Sequence, residues 1–451
     1  MRTVNRREAL GMLGAGLAGG LLARGEAGAV ASEATRPPNI IVVFADDLGY
    51  GDLSCYGAPL IRTPNLDCMA AEGIRFTDFH CSAAICSPSR AGLLTGRYHI
   101  RMGINRVFFP QSPDGLDTSE ITVARLLKEQ GYATACIGKW HLGHLPQYLP
   151  MQHGFDYYFG LPYSNDMFVK DRGDPPLPLM RGAEVVEQPA DQNMLVRRYT
   201  EEAVRFIGEH RDTPFFLYLP HNMPHVPLHV SESFSGKSKG GLYSDVIEEI
   251  DWGIGEILKV LRETGVDENT LMIFTSDNGP WLVKGKDGGS AGPLRAGKGT
   301  TFEGGMRVPC VMRWPGRIEA GRVERSLACT LDFLPTFVRL AGGTPPTDRA
   351  LDGKDIRPVL FGEGPRPDQE FHYFHQGQHQ AYRSGTWKLK RPFKGNVYGE
   401  ASEHGTLLFD LETDPGEQHN LAEAQPERVK AMEQAMDAFW ASLQPLPKDR
   451  V

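Results

Sequence analysis

Basic character is what this chain most lacks. Its 48 Lys and Arg stand against 56 Asp and Glu, giving a formal charge of −8 and a pI near 6.0. That balance argues against general nucleic-acid binding, although it leaves room for local positive pockets. Cysteine is sparse. The seven residues Cys55, Cys68, Cys81, Cys86, Cys136, Cys310 and Cys329 never fall in Cys-x-x-Cys spacing, which excludes the common zinc-binding frameworks. Beyond the first thirty residues no apolar run is long enough to span a bilayer, which needs about 20 residues. Internal repeats and low-complexity tracts are missing too. What remains is globular composition, with 41% hydrophobic and 23% charged residues over 451 positions. That length predicts one large domain and a smaller one.

The N-terminus reads as an export signal. Asn5-Arg6-Arg7-Glu8-Ala9-Leu10 precedes a weakly apolar, Gly/Ala-rich run from Leu10 to Ala23. Ala27-Gly28-Ala29 and Ala29-Val30-Ala31 then offer small-residue cleavage sites. Paired arginines before such a run are the pattern of a twin-arginine signal, here assigned to residues 1–31. The run contains no cysteine to carry a lipid anchor. The rival reading is an uncleaved N-terminal anchor. A protein folded in a reducing compartment before export should carry few structural disulfides.

From Asn39 the chain alternates strand and helix. Asn39–Phe44, Tyr132–Ile137, Phe215–Leu219 and Leu271–Thr275 are short apolar runs suited to central parallel strands. Helical spacing predicts helices over Thr118–Gln130, Gln192–His210 and Tyr243–Thr264. Residues 145–190, rich in Pro, Tyr and Gly, read as loops. Beyond about Thr347, Tyr382–Leu389 and Thr406–Leu411 read as antiparallel strands and residues 425–443 as a terminal amphipathic helix. The implied division is 36–346 for a catalytic domain and 347–451 for a small α+β subdomain.

Each of the four strands ends in chemistry. Asp46 and Asp47 follow the first, Lys139 and His141 the second, His225 the third, Asp277 and Asn278 the fourth. Ligands in open α/β sheets sit beyond the carboxyl ends of the strands, so these residues should converge. Asp46, Asp47, Asp277 and Asn278 offer only oxygen donors, which suit a hard cation such as Ca²⁺ or Mg²⁺. The alternative is turn and cap chemistry, for which Asp-Asp and Asp-Asn-Gly are common material. Cys86 precedes Ser87 and Pro88, read as cap and first turn of a short helix, with Arg90 one turn in and Gly96 as its stop. A helix N-terminus lowers a thiol's pKa and offers N–H groups to an anion. The plainer reading is a buried cysteine at a helix start.

These blocks together resemble the type I sulfatases. Cys86-Ser87-Pro88-Ser89-Arg90, four residues, then Thr95-Gly96 matches that family's Cys-x-Pro-Ser-Arg-x4-Thr-Gly signature. The blocks Asp46–Gly49, Gly138–Gly143, Pro224–Pro227, Ser276–Gly279 and Gly297–Gly305 follow in the family's order, as does Asp410–Leu421 near the C-terminus. The resemblance implies an alkaline-phosphatase-like α/β sandwich: a large, mostly parallel sheet flanked by helices, plus a C-terminal antiparallel sheet. It further implies that Cys86 is oxidised to formylglycine (3-oxoalanine) by a formylglycine-generating enzyme. The hydrated aldehyde would supply one hydroxyl to attack sulfur and a second to clear the sulfated enzyme. In that scheme Asp46, Asp47, Asp277 and Asn278 hold Ca²⁺. Arg90 and Lys139 orient the nucleophile and neutralise sulfate oxygens. His141 takes a proton in the clearing step, His225 and Lys298 hold the ester and protonate the leaving oxygen, and Ser164 touches sulfate. His144, His153 and His221 read as structural, Trp140 as packing, and Glu303 as a brace for Lys298 or Arg307.

A phosphonate monoester or phosphodiester hydrolase shares this fold and signature, and an inactive binding homologue is the reading from another class. The expected substrate is a sulfated glycan or an aryl sulfate, and the export partner is the twin-arginine translocase, delivering the protein to the periplasm or beyond. No nucleic acid and no stable membrane anchor are expected. Specificity is expected to reside in residues 145–190, 280–296 and 391–405.

Overall fold

The run Asn39–Ala45 is buried along its whole length and lies in the middle of a ten-stranded sheet. The computed structural model describes residues 36–393 and 405–449. The export signal assigned to residues 1–31, and most of the segment 391–405, lie outside the described residues. In chain order the strands are β1 (Asn39–Ala45), β2 (Ile74–Phe76), β3 (Phe79–His80), β4 (Ala133–Ile137), β5 (Tyr157–Gly160), β6 (Leu179–Arg181), β7 (Glu184–Glu187), β8 (Phe215–Pro220), β9 (Thr270–Ser276), β10 (Cys310–Arg313), β11 (Arg322–Glu324), β12 (Ala328–Cys329), β13 (Glu370–His375), β14 (Gln378–Ser384), β15 (Trp387–Lys390) and β16 (Leu407–Asp410).

The large sheet runs β11-β2-β10-β9-β1-β8-β4-β5-β6-β7. Its centre is parallel, β1 pairing with β8 and β9 and β4 with β8 and β5. The flanks turn antiparallel at β10, β6 and β7. Side chains alternate across a strand, and β1 shows both faces buried. Ile40, Val42 and Phe44 pack with the helices Cys86–Thr95, Val123–Glu129 and Phe333–Leu340. Ile41, Val43 and Ala45 face the helices Pro64–Ala71, Leu195–Glu209 and Leu242–Glu263. Each large apolar side chain so enclosed contributes ~1.5–3 kcal/mol relative to exposure. The α/β class with helices on both faces is therefore what the strand–helix alternation implied.

The antiparallel sheet β13-β14-β15-β16 lies at the C-terminal end. Met432 and Met436 of the helix Pro426–Ser442 pack on its Tyr382, Leu389 and Leu408.

Four local expectations need correction. The helix expected from Thr118 begins at Val123, because Thr122 caps it by accepting from Arg125 N at 3.2 Å. Upstream, Asp117 instead folds a turn onto Ser119 N at 2.9 Å. Residues 145–190 are not all loop, since β5, β6 and β7 extend the sheet edge; strands of three or four residues are too short to show a period. The stretch Tyr382–Leu389 is not one strand. It is the junction of β14 and β15, reversed at Gly385 with φ of 60°. Strand β13 was not anticipated.

Candidate functional site

Register brings the acidic residues together. Strands β1 and β9 are parallel neighbours with Ala45 opposite Ser276, so Asp46-Asp47 and Asp277-Asn278 leave the sheet side by side. Asp47 N donates to Asp277 Oδ1 at 3.1 Å, and Leu48 N to Ser276 Oγ at 3.0 Å. Asp47 holds φ of 64° and His141 φ of 57°. Such left-handed backbone is uncommon outside glycine and is tolerated where surrounding structure fixes it, often at functional sites. Between β4 and Lys139, Gly138 has φ of 131°, and a Cβ there would lie 1.9 Å from Pro220 O. Only glycine lets the end of β4 approach β8 closely enough to deliver Lys139.

Asp46, Asp47, Asp277 and Cys86 bring one ligand atom each to within 4.8 Å of one another, all buried. Three cations face them. Lys139 Nζ donates to Asp46 Oδ2 at 2.5 Å, Arg90 Nη2 to Asp277 Oδ2 at 2.8 Å, and Lys298 Nζ to Asp47 Oδ2 at 2.8 Å. Burial works to raise the Asp46 carboxyl, but Lys139, His225, Arg90 and Lys298 hold it well below the usual range. Asp277 goes the other way. Burial, reinforced by Asp46, pushes it up to about 7. Asn278 Nδ2 donates to Asp47 Oδ1 at 2.7 Å and to Gly279 O at 2.9 Å, while its Oδ1 is buried without a hydrogen-bond partner. Crowded carboxylates and an orphaned carbonyl oxygen form a donor set that fits a hard cation.

The helix expected to start at Pro88 with Ser87 as its cap starts two residues earlier, at Cys86, with Ile85 in the cap position. Gly96 ends it in left-handed conformation with φ of 66°, as its position suggested. Cys86 Sγ donates to Asp46 Oδ1 at 3.4 Å. The lowered thiol pKa expected from the helix N-terminus is not found. Burial first, then the Asp46 charge, push the thiol well above its ordinary value, outweighing the helix dipole, which is worth at most ~2 kcal/mol. As a cysteine, residue 86 is a neutral thiol. All seven cysteines are free.

Around this centre stand the other expected residues. Arg90 Nη1 also donates to Lys139 O at 2.8 Å, which fixes the guanidinium. Lys139 Nζ donates to Ser164 Oγ at 3.1 Å. His141 Nε2 lies 3.0 Å from Phe108 O and must donate to it, so Nδ1 carries the lone pair; that Nδ1 is buried without a partner. Burial, then Lys139 and Arg90, hold the ring well below its ordinary value. His225 Nδ1 donates to Val226 O at 2.5 Å and turns Nε2 toward Asp47 Oδ2, 3.7 Å away. Burial and Lys298 lower its pKa. Burial opposes the Lys298 charge, yet Asp47 and its neighbours hold that ammonium's pKa well above the ordinary value. All eleven predicted residues thus lie at one end of the sheet, linked by contacts or by mutual charge.

The residues read as structural behave so. Trp140 is buried against His153 and Phe155, and His221 packs against Tyr199. Glu303 lies 3.6 Å from Arg307 but does not brace Lys298; its closer partner is Lys388 at 2.9 Å. Two nearby residues had been missed. Trp281 places its ring 4.4 Å from Lys298 Nζ and 5.4 Å from the His225 ring. Asp166 is held below the usual range: burial opposes this, but His225 and a hydrogen bond from Ser164 prevail. The signal for Asp166 was its place in the block beginning at Gly160; for Trp281 it was an aromatic two residues beyond Gly279.

With this geometry in view, comparison with known proteins is specific. The family model described as Sulfatase matches residues 38–343. That of the N-sulphoglucosamine sulphohydrolase C-terminal region matches residues 297–442. Human arylsulfatase A is 40% identical over 442 residues, covering 88% of this chain and 87% of its own. Human N-acetylgalactosamine-6-sulfatase is 40% identical over 443 residues, covering 89% and 85%. The crystal structure of Ps i-CgsB in complex with k-i-k-neocarrahexaose superposes with a TM-score of 0.80 at 31% identity, covering 92% of this chain and 94% of that one. Identity at this level across nearly the whole chain, on a site of this composition, shows that the chain belongs to the sulfatase family and is a sulfuric ester hydrolase.

Proposed function

We propose that this enzyme cleaves a sulfate monoester on a sulfated glycan, using a formylglycine made from Cys86 and a Ca²⁺ ion held by Asp46, Asp47, Asp277 and Asn278. Mg²⁺ is the less suitable ion, because it keeps its waters and this donor set is supplied by the protein. The observation that carries the reading is the neutral, buried Cys86 thiol within ligand distance of three carboxylates. A thiol in that state is a poor nucleophile, yet cations and proton-transfer groups surround it. When present, the cation supplies Lewis-acid polarisation and the aldehyde at position 86 supplies, once hydrated, a hydroxyl nucleophile.

The chain's own residues supply the rest. Arg90, Lys139 and Lys298 set three fixed positive charges where negative charge builds on the sulfate oxygens, a preorganised stabilisation that is commonly the largest single term in catalysis. The Ser164 hydroxyl is oriented by Lys139 and can turn toward a sulfate oxygen. His141 Nδ1, with Nε2 anchored on Phe108 O, is a proton acceptor. His225 Nε2, with Nδ1 anchored on Val226 O, holds the ester oxygen and returns a proton to it. Burial of Lys139, His141 and Asp277 to 0 or 1% exposure excludes bulk water from these transfers.

The glycan assignment draws on the similarity to N-acetylgalactosamine-6-sulfatase and to a structure that holds a neocarrahexaose. The same reading divides the chain into a catalytic domain, 36–346, and a subdomain, 347–451, and has residues 1–31 direct twin-arginine export after folding. Mass analysis of the Cys86 peptide from the native host tests the core of it. Exchange of sulfur for oxygen makes the peptide lighter, whereas ordinary thiol oxidation makes it heavier. An unmodified cysteine in active enzyme would refute the formylglycine reading. Faster turnover of a phosphodiester than of nitrophenyl sulfate would instead favour the phosphohydrolase alternative.

A further inference from the structure

Lys298 is held in two ways. Its ammonium donates to Asp47 Oδ2 at 2.8 Å and lies 4.4 Å from the centre of the Trp281 ring. Glu303, read from the sequence as a brace for Lys298 or Arg307, pairs with Lys388 instead. The grip of residues 280–281 extends to the backbone, where Lys298 N donates to Pro280 O at 2.9 Å. The two segments run so close that a Cβ on Gly297 would lie 2.3 Å from Pro280 O and 3.0 Å from Leu282 Cγ. The carbonyl of Trp281 accepts from Lys284 N at 2.9 Å, which closes a turn behind the ring. The same ring lies 5.4 Å from that of His225. One indole thus lies against both groups assigned to the leaving oxygen.

The two holds differ in kind. Asp47 takes one of the three N–H donors of the ammonium, whereas the face of an indole attracts the charge and takes none. Tryptophan offers the strongest such face, and the attraction grows where water is kept out. Lys298 is only 5% exposed. An ammonium anchored on a ring keeps its place while its hydrogen bonds pass from Asp47 to an ester. Resting on the sulfatase reading above, we infer that Trp281 is a positioning residue that holds the Lys298 ammonium on its ring face and leaves the N–H groups free to serve the ester oxygen. The second cation near the ring is Lys284, 4.3 Å from its centre. That side chain is exposed to solvent, so its attraction to the ring is the weaker of the two.

The experiment changes the charge on the ring face while nearly keeping its shape. Trp281 is replaced by its mono-, di- and trifluorinated analogues through stop-codon suppression. Each fluorine draws electron density from the face and weakens its hold on a cation. Protein with a verified Cys86 conversion is assayed on nitrophenyl sulfate. Its kcat/KM should fall stepwise along the series, and by about 30-fold in Trp281→Leu, the worth of a desolvated cation–π pair. Trp281→Phe should fall in between. Should Trp281→Leu fail to fold, the fluorinated series still decides. The series should be flat in a Lys298→Met background and should keep its slope in Lys284→Met. A flat series in the otherwise wild-type protein would reduce Trp281 to packing and overturn the inference. A slope that survives Lys298→Met would make the ring a contact for the substrate, and one lost in Lys284→Met would make Lys284 its partner; either result overturns the inference too. If wild type turned over no sulfate ester, the sulfatase reading itself would fall, an outcome distinct from a flat series.

Discussion

Asn278 gives its Nδ2 to Asp47 Oδ1 at 2.7 Å and keeps its own buried Oδ1 without a protein partner. The same amide that orders one carboxylate of the Asp46, Asp47 and Asp277 cluster therefore keeps a bare carbonyl oxygen of its own. A side chain used merely as a cap would have no reason to leave that oxygen bare. Asp277→Ala should accordingly abolish Ca²⁺ binding and turnover together while the chain stays folded. Calorimetric titration with Ca²⁺, run beside a circular dichroism melt, checks both halves. Normal turnover by that variant after chelation would show that the cluster holds no required ion.

The pH dependence of the metal-free protein follows from Asp277. Its carboxyl moves from 3.8 to about 7 on folding, chiefly through burial and then through Asp46. Between those values the unfolded chain has lost this proton and the folded chain has kept it. Stability from this group is thus full below 3.8 and declines as pH rises toward 7. Asp46 has the opposite sign, its contribution being lost only as pH falls below the carboxylate range. Melts of chelated protein should show the decline between pH 4 and 7, and Ca²⁺ should bind more tightly as pH rises through 7. Affinity independent of pH across that span would contradict the assignment of Asp277 as a ligand.

His225 differs from Lys298 in how readily it can give a proton. The Lys298 ammonium is held far above its ordinary value, whereas burial and Lys298 hold His225 below 6.5. The imidazole is therefore the better acid. His225→Ala should cost ~10²–10⁴-fold on sugar sulfates, whose leaving alkoxide needs a proton, and far less on nitrophenyl sulfate. On sugar sulfates, kcat/KM should fall as pH rises through a value under 6.5. Equal losses on both substrates would assign His225 to sulfate binding alone.

His141 faces the other half of the cycle. With Nε2 donating to Phe108 O, its bare Nδ1 is the acceptor to which the proposed function assigns the proton lost when the sulfated enzyme is cleared. Asparagine tolerates left-handed backbone, so His141→Asn respects the φ of 57°. That variant should release about one equivalent of nitrophenol in a burst and then turn over slowly, the kinetic mark of a covalent intermediate that persists. A uniformly slow release without a burst would place His141 in the first step.

How legible this was in the sequence depended on how local the signal was. Strand β1 and Asp46-Asp47 could be read because seven buried positions in a row end in charge. Their meeting with Asp277-Asn278 followed from strands ending alike, and the parallel register realised it. Strand β13 and the first half of β14 were hidden. Stretches such as Gln378-His379-Gln380 look like loop until Phe439 and Trp440 cover His372 and His379. The raised Cys86 pKa was likewise invisible, since it depends on burial and on a carboxylate forty residues earlier. Asp166 drew no notice for the same reason. Its surroundings come from Pro227 and Trp281, distant in the chain.

Lys388 connects the C-terminal sheet to the loop that carries Lys298. It is fully buried, and its ammonium lies 2.9 Å from both Glu303 Oε1 and Glu417 Oε1. Glu417 in turn accepts from Glu303 N at 2.6 Å through Oε2, and its carbonyl accepts from Arg295 Nη1 at 2.9 Å. The segment 295–303 is thereby gripped from both ends by residues of the C-terminal sheet and the turn after it. Removing the cation leaves two carboxylates facing each other out of water. Burial already pushes Glu417 up to about 6, while burial's like effect on Glu303 is overcome by Lys388 and His80. Lys388→Met should therefore destabilise the fold by ~3–5 kcal/mol, the cost of breaking a buried ion pair on one side. Adding Glu417→Gln should recover part of that loss. If the pairing also holds Lys298 in place, Lys388→Met should lower kcat/KM in protein that remains folded, and the double variant should restore some of it. Chemical denaturation of the three proteins, with assays below the unfolding transition, separates the two effects. A stable Lys388→Met protein would mean that the C-terminal sheet is held by its apolar contacts alone.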